Sequence, residues 1–373
     1  MNSGENPGLY VHVPFCKTKC PYCGFYSSTD LSKIPRWLDA LCEETTYYRD
    51  VFEPFDSLYL GGGTPSVLPE RDFSRLMGCL YDRFSFLPNP EVTVEVNPDD
   101  VTRDWLSMLR DFGVNRISVG VQSFDEQQLV RLGRRHTAGQ AEAALDAVSA
   151  AGFDNFGVDL MFGLEGQSET GWLKVLERAV RFHPTHLSCY QLTVDQGTPF
   201  ALEKALGRLD VPGEKRQRAL FLATSVFLRQ AGFIHYEVSN YARDAGSFSR
   251  HNCKYWRHVP YLGLGPSAHS FLGRRRWWNV RSLEQYGSIV SAGVAPVEDS
   301  EELDEDSLLL ESLLLGFRTK SGVAMQLLAN VPAAGALLRR LEGSGLIEIA
   351  GDRILPTEKG FLVADSLPLL FTS

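Results

Sequence analysis

Positive charge is in short supply. The chain carries 37 Lys and Arg against 46 Asp and Glu, a formal net charge of −9 and a pI near 5.5. A general nucleic-acid binder is normally basic, so that class is set aside. Long apolar runs are missing as well. Nothing approaches the roughly 18 residues of a membrane-spanning helix, so any membrane contact would be peripheral. Only nine residues precede Tyr10, too few for an export signal ahead of the first strand. The seven cysteines are odd in number, which disfavours a disulfide framework and suits a reducing, cytoplasmic setting. No internal repeat and no low-complexity segment is present. What remains is ordinary for a folded chain: 373 residues, 44% hydrophobic and 22% charged. That length suggests one large domain with a smaller one attached.

The richest stretch is Tyr10-Val-His-Val-Pro-Phe-Cys16-Lys-Thr-Lys-Cys20-Pro-Tyr-Cys23-Gly-Phe25. Three cysteines at C-x3-C-x2-C follow an alternating apolar run that reads as a strand. Three thiolates on one short loop can hold three corners of a cubic iron–sulfur cluster, leaving the fourth iron open to a chelating molecule. Two plainer readings stand beside this one. Zinc would need a fourth ligand, which His12 could supply, and the thiols could be structural.

Strand and helix patterns then alternate. Helices are expected over about 34–49, 69–84, 103–112 and 169–182, with a polar helix pair over 125–151. Strands are expected at Ser57–Leu60, Glu91–Val96, Arg116–Val121, Phe156–Met161 and His186–Gln191. Six strand–helix units in succession imply a parallel sheet, and right-handed crossovers curl it. Eight units would close a barrel. Six predict an α/β fold: an open six-unit (β/α)6 partial barrel with a side entrance. Polar motifs recur where strands end, namely the cysteines, Gly61-Gly-Gly-Thr-Pro65, Glu95 with Asn97, and Gln122, and Asp159 lies in the fifth strand. In such barrels one site gathers at the C-terminal strand ends.

Beyond about Pro212 the pattern changes. A long helix (Glu214–Gln230) precedes His251-Asn-Cys-Lys-Tyr-Trp256 and the glycine-rich Tyr261–Ser270. A hairpin is expected around Gly273, with Arg274-Arg-Arg276 as a solvated edge. The acidic run Glu298–Asp306 reads as a boundary. Helices and a hairpin turning at Gly351-Asp352 then suggest a small winged-helix-like α+β domain. The expected division is 1–235 barrel, 236–300 extension and 301–373 C-terminal domain. That last domain would cap the open side or meet a partner protein. Cys42, Cys79 and Cys189 read as core thiols.

With these residues assembled, the chain resembles the radical S-adenosylmethionine (SAM) proteins of the oxygen-independent coproporphyrinogen III oxidase type, and within them the HemW-type haem-chaperone branch. The likeness runs from Tyr10 to the C-terminal domain. Its specific parts are the cysteine stretch, Gly61–Pro65, Gly120-Val-Gln-Ser-Phe124 and His251-Asn-x-x-Tyr-Trp256. The resemblance implies that Cys16, Cys20 and Cys23 hold a [4Fe–4S] cluster whose fourth iron takes SAM. Gly62, Gly63 and Thr64 match the positions that approach the methionyl ammonium. Gln122 and Asp159 match ribose contacts, Arg134 a carboxylate partner and Glu95 a further SAM contact. Tyr10, Tyr22 and Thr193 fall on other contact positions.

One departure separates the branches. The resembling oxidases carry another cysteine two residues after the third, and here that position is Phe25, as in HemW-type sequences. The family associates the second motif with haem, so His251, Asn252, Tyr255 and Trp256 are its expected haem-binding residues. A bland alternative is a buried, hydrogen-bonded histidine; Cys253, His258 and His269 are rival axial ligands. The implied function is a haem chaperone with a SAM-coordinated cluster, passing haem to haem-requiring respiratory proteins. The alternative is radical decarboxylation of coproporphyrinogen III to protoporphyrinogen IX.

Overall fold

The computed structural model describes residues 4–52 and 54–371. Six parallel strands form its centre: β1 (Gly8–Val13), β2 (Phe55–Gly62), β3 (Phe86–Val96), β4 (Arg116–Gln122), β5 (Phe156–Phe162) and β6 (His186–Gln191). They pair in chain order. The helices between them are α1 (Ile34–Glu44), α2 (Glu70–Arg83), α3 (Arg103–Asp111), α4 (Glu126–Arg131), α5 (Ala138–Ala150) and α6 (Glu169–Val180). Side-chain caps fix the starts of α3 to α6: Thr102, Asp125 and Ser168 each accept a first-turn amide, and Thr137 with Gln140 forms a full capping box.

After β6 come α7 (Pro199–Ala205), α8 (Glu214–Gln230), β7 (Ile234–Glu237), β8 (Asn240–Ala242), α9 (Arg250–Trp256) and β9 (Tyr261–Leu264). Next are β10 (His269–Leu272), β11 (Arg275–Asn279), α10 (Leu283–Ser291) and β12 (Val297–Glu302). The strands form one twelve-stranded sheet in the order β12-β11-β10-β9-β1-β2-β3-β4-β5-β6-β8-β7. Its end strands are β12 and β7, so the sheet is open. The boundary expected at residue 235 falls inside β7, and strands on both sides of it share this sheet.

The acidic run read as a boundary begins as an edge strand and ends where the C-terminal elements start. Glu301 and Glu302 of β12 stand opposite Arg276 and Arg275 of β11, and cross-strand opposite charges stabilise such pairing. The C-terminal domain follows with α11 (Glu305–Phe317), β13 (Val323–Ala324), α12 (Ala334–Gly343), β14 (Ile347–Ala350), β15 (Arg353–Pro356) and α13 (Glu358–Phe361). It has its own core around Leu313, Phe317, Leu338, Ile347 and Ile354. Its β14–β15 hairpin turns at Gly351, whose φ of +62° suits glycine.

The period-two alternation of the central strands decides where function can sit. Leu58, Leu60, Val92, Val94, Ile117, Val119, Val158, Leu160 and Leu187 are buried against the helices. The alternate residues Tyr59, Thr93, Glu95, Ser118, Gly120, Asp159 and Ser188 face inwards and line a cavity. The concave side is polar by sequence.

Candidate active site

That cavity measures about 460 Å³ and opens at the C-terminal strand ends. Cys16, Cys20 and Cys23 lie at its rim as free, half-buried thiols. Two neighbours address the sulfurs. The Thr64 hydroxyl donates to Cys16 Sγ over 3.4 Å, and Arg134 Nη1 donates to Cys20 Sγ over 3.6 Å. Among the described residues no three His, Cys, Asp or Glu side chains gather closely enough for a single metal ion. A cubic cluster instead gives each thiolate its own iron.

His12 is not free to complete a zinc site. Its Nε2 pairs with the Tyr26 carbonyl at 2.9 Å and its Nδ1 with the Tyr10 hydroxyl at 3.0 Å. Burial lowers its pKa to about 4, so the ring is a neutral strut beneath the loop. Glycine is obligatory above it. A Cβ on Gly62, which has φ of +97°, would come within 2.3 Å of His12 Nδ1, and one on Gly63 within 2.5 Å of the Val13 carbonyl. These contacts pack the Gly-Gly-Thr turn flat against the end of β1.

Deeper in, the Glu95 carboxylate accepts from the Tyr59 hydroxyl at 2.7 Å and the Gly62 amide at 3.1 Å. Burial raises its pKa to about 7 despite these donors. Asp159 is shifted upward by burial too, and Ser118 donates to it over 3.0 Å. Gln122 holds φ of +68° where β4 slips register against β5. Strain of this kind in a non-glycine residue re-aims a side chain at a functional rim. Arg134 donates to the Gly120 carbonyl at 2.6 Å, while its buried Nε has no partner. Thr93 Oγ1, another inward group, is equally unpartnered. Buried polar atoms are normally satisfied, so unpaired donors beside a glycine cradle fit a polar zwitterionic ligand such as SAM.

The comparisons agree with this geometry. A family model described as "Radical SAM superfamily" matches residues 10–179, and "HemN C-terminal domain" matches 303–363. The chain is 35% identical to "Heme chaperone HemW" of Mycobacterium tuberculosis over 98% of its length and 94% of that protein. It is 30% identical to the protein of that name from Bacillus subtilis, over 96% and 97% of the two chains. This chain belongs to the HemW family of radical SAM proteins. Among solved structures it is similar to coproporphyrinogen III oxidase (HemN) from Escherichia coli, a radical SAM enzyme. The TM-score is 0.85 at 26% identity, over 99% of this chain and 91% of that one. A [4Fe–4S] cluster and SAM follow from the family.

Within this HemW-type framework, most expected site residues meet at one place. Cys16, Cys20, Cys23, Tyr22, Gly62, Gly63, Thr64, Glu95, Gln122, Arg134, Asp159 and Thr193 all line the cavity. Tyr10 does not; it stands one layer behind, bracing His12. Sequence reasoning missed Asp100 as a site residue. This buried carboxylate accepts from Lys17 Nζ at 2.6 Å and Ser66 Oγ at 3.1 Å, tying the cysteine loop to the glycine turn. The acidic pair Asp99-Asp100 just past β3 was its only signal.

The haem motif lands elsewhere than expected. α9 plugs the floor of the sheet's concave side, and Asn252 alone of His251, Asn252, Tyr255 and Trp256 reaches the cavity. His251 is 0% exposed. Its Nδ1 pairs with the Ser57 hydroxyl at 3.0 Å and its Nε2 with the Tyr255 hydroxyl at 2.8 Å. Burial takes its pKa to about 3. Tyr255 packs edge-on against Tyr261, and Trp256 against Tyr236. As built, His251 has no free ring nitrogen, while Tyr255 and Trp256 are half-buried. The plain reading of a satisfied core histidine describes His251. Two further expectations are corrected. Arg276 is no solvated edge, since it grips Glu311 with two nitrogens. Cys189 is buried in the core, Cys42 is half-buried against it, and Cys79 is half-buried and hydrogen-bonds Cys42.

Proposed function

We propose that this protein is a cytoplasmic haem carrier that holds a SAM-coordinated [4Fe–4S] cluster and passes haem to haem-requiring respiratory proteins. Phe25 carries the choice. It occupies the position where the resembling decarboxylases have a fourth cysteine, and it stands 68% exposed beside the cavity. Full-length relatives named haem chaperone support the same reading.

In this reading Cys16, Cys20 and Cys23 ligate the cluster. Glu95 receives the cationic amino group of SAM, which would draw its raised pKa back down and leave it ionised. Gly62, Gly63 and Thr64 line that group's path. Arg134 takes the carboxylate, a use suited to its planar fork. Gln122 and Asp159 hold the ribose hydroxyls, with Tyr22 and Thr193 at the margin. The cluster, when reduced, supplies an electron to bound SAM.

The test is an anaerobic haem titration followed by gel filtration, run beside a coproporphyrinogen III turnover assay on the reconstituted protein. Stoichiometric haem in the protein peak and no protoporphyrinogen IX is the expected result. The decarboxylase alternative is favoured by the overall likeness to the Escherichia coli enzyme; turnover without retained haem would replace the carrier reading with it.

A further inference from the structure

Two of the cysteine sulfurs receive a hydrogen bond, Cys16 from the Thr64 hydroxyl and Cys20 from Arg134 Nη1. Neither donor is aimed at sulfur by its own chemistry. A threonine hydroxyl rotates and has a single proton to place, and a guanidinium on a long side chain has several N–H groups to offer. Among the described residues, the hydrogen bonds place one side chain against both donors. Asn97 Nδ2 donates to Thr64 Oγ1 over 3.2 Å, and Asn97 Oδ1 accepts from Arg134 Nη2 over 2.5 Å.

The partners dictate which way round the Asn97 amide lies. Arginine carries donors and no acceptor, so the amide oxygen faces Arg134 and the NH2 faces Thr64. That NH2 takes up a lone pair of the hydroxyl, and the hydroxyl proton is left to Cys16. On the other side, Arg134 Nη2 is shared between Asn97 and the Gly120 carbonyl at 2.6 Å, which leaves Nη1 turned to Cys20. Asn97 is itself held from behind. Pro98 follows it and confines its backbone to the extended region, where it stands at φ −90° and ψ 141°. Its amide donates to Ser66 Oγ over 3.2 Å, and the Ser66 proton goes on to Asp100 over 3.1 Å. The half-buried side chain lines the cavity with the groups it directs.

We propose that Asn97 is the positioning residue that turns the Thr64 hydroxyl and the Arg134 guanidinium on to the cysteine sulfurs, and so holds the cluster at a higher reduction potential than the bare cysteine loop would. This rests on the reading of Cys16, Cys20 and Cys23 as the cluster's ligands. A hydrogen bond to a coordinating sulfur draws electron density from it, which stabilises the added electron of the reduced cluster. Asparagine suits the position because it presents a donor and an acceptor on one short side chain, whereas ionised aspartate presents acceptors alone. In Asn97→Asp the carboxylate still takes Arg134, but the Thr64 proton turns to it and Cys16 loses its donor.

The experiment is an anaerobic, dye-mediated redox titration of the reconstituted full chain without SAM, followed by the EPR signal of the one-electron-reduced cluster. Wild type, Asn97→Asp, Asn97→Leu, Thr64→Val and the double variant Asn97→Asp with Thr64→Val are compared at equal iron content, with circular dichroism establishing the fold. Thr64→Val should shift the midpoint potential downward in the wild-type background. It should leave the potential unmoved in the Asn97→Asp background, where the proton has already turned away. The added aspartate charge is common to both members of that second comparison and cancels. Asn97→Leu should lower the potential too, through the released Arg134. A residue that merely supports the fold would change cluster yield and leave the potential of intact clusters where it was. An equal shift from Thr64→Val in both backgrounds, or none in either, overturns the proposal, as does a wild-type potential in Asn97→Leu. If Asn97→Asp holds no cluster, Asn97→Leu decides. No cluster in wild type would defeat the ligand reading instead, a different failure.

Discussion

Gly62 answers two demands at once. The expectation from sequence was close approach to a ligand; the geometry adds the His12 ring packed 2.3 Å from where a Cβ would stand. Gly62→Ala should therefore destabilise the apo protein by about 2–4 kcal/mol, from left-handed strain plus the clash. Gly78 in α2 is the internal control, since a Cβ there meets nothing within 4 Å. Gly78→Ala should stabilise by about 0.5–1 kcal/mol through helix propensity. Urea denaturation of both variants checks the pair, and equal effects would refute the argument. The contrast explains which residues were legible. Cys16, Thr64 and Gln122 sit at strand ends that the chain itself marks, and Asp159 on the inward side of β5. His12 and Tyr10 do not differ locally from ligands, and only their packing partners, 14 and 2 residues away, reveal struts.

The same limit holds for whole elements. The six parallel strands could be read because each carries its own period-two signal. The role of α9 could not, because a seven-residue helix does not say which face it buries. Its burial has a measurable consequence. The folded-state pKa of His251 is about 3, and those of His12 and His235 are about 4, each lowered by burial. A base with a depressed folded pKa gives stability that is complete above its unfolded value near 6.5 and is lost as pH falls towards the folded one. Each of these histidines therefore removes stability as pH falls from about 6.5 to 4, offset in part by buried Glu95, whose raised pKa works in the opposite direction. In His251→Gln the slope over that window should be shallower by about 1.4 kcal/mol per pH unit. Urea midpoints across the range decide it; parallel slopes would mean that His251 titrates normally and is not closed in.

At the scale of the molecule, the open sheet poses a problem that the C-terminal domain answers. An uncovered edge strand invites pairing with other chains, and the sheet has two ends. The domain is joined to both sides. Near β7, Arg318 donates to the 2%-exposed Glu237 at 3.1 Å, the Lys320 amide meets the Tyr236 carbonyl at 2.9 Å, and Glu237 bridges Thr319. Near the other end, Glu311 of α11 takes the fork of Arg276 from β11 at 2.8 and 2.6 Å and also pairs with His258. The two clamps are unequal. Arg318→Ala leaves a buried carboxylate short of its charge partner, a loss of about 3 kcal/mol. Arg276→Ala breaks a partly exposed bidentate pair, about 1 kcal/mol. If the domain is one latch held at two points, the double variant should cost more than the sum, because only then can it swing free and uncover β7. Thermal denaturation gives the energies, and limited proteolysis near residues 303–304 reports the release. Strict additivity with no new cleavage would mean that the domain is held by its apolar contacts and that the two arginines merely decorate the join.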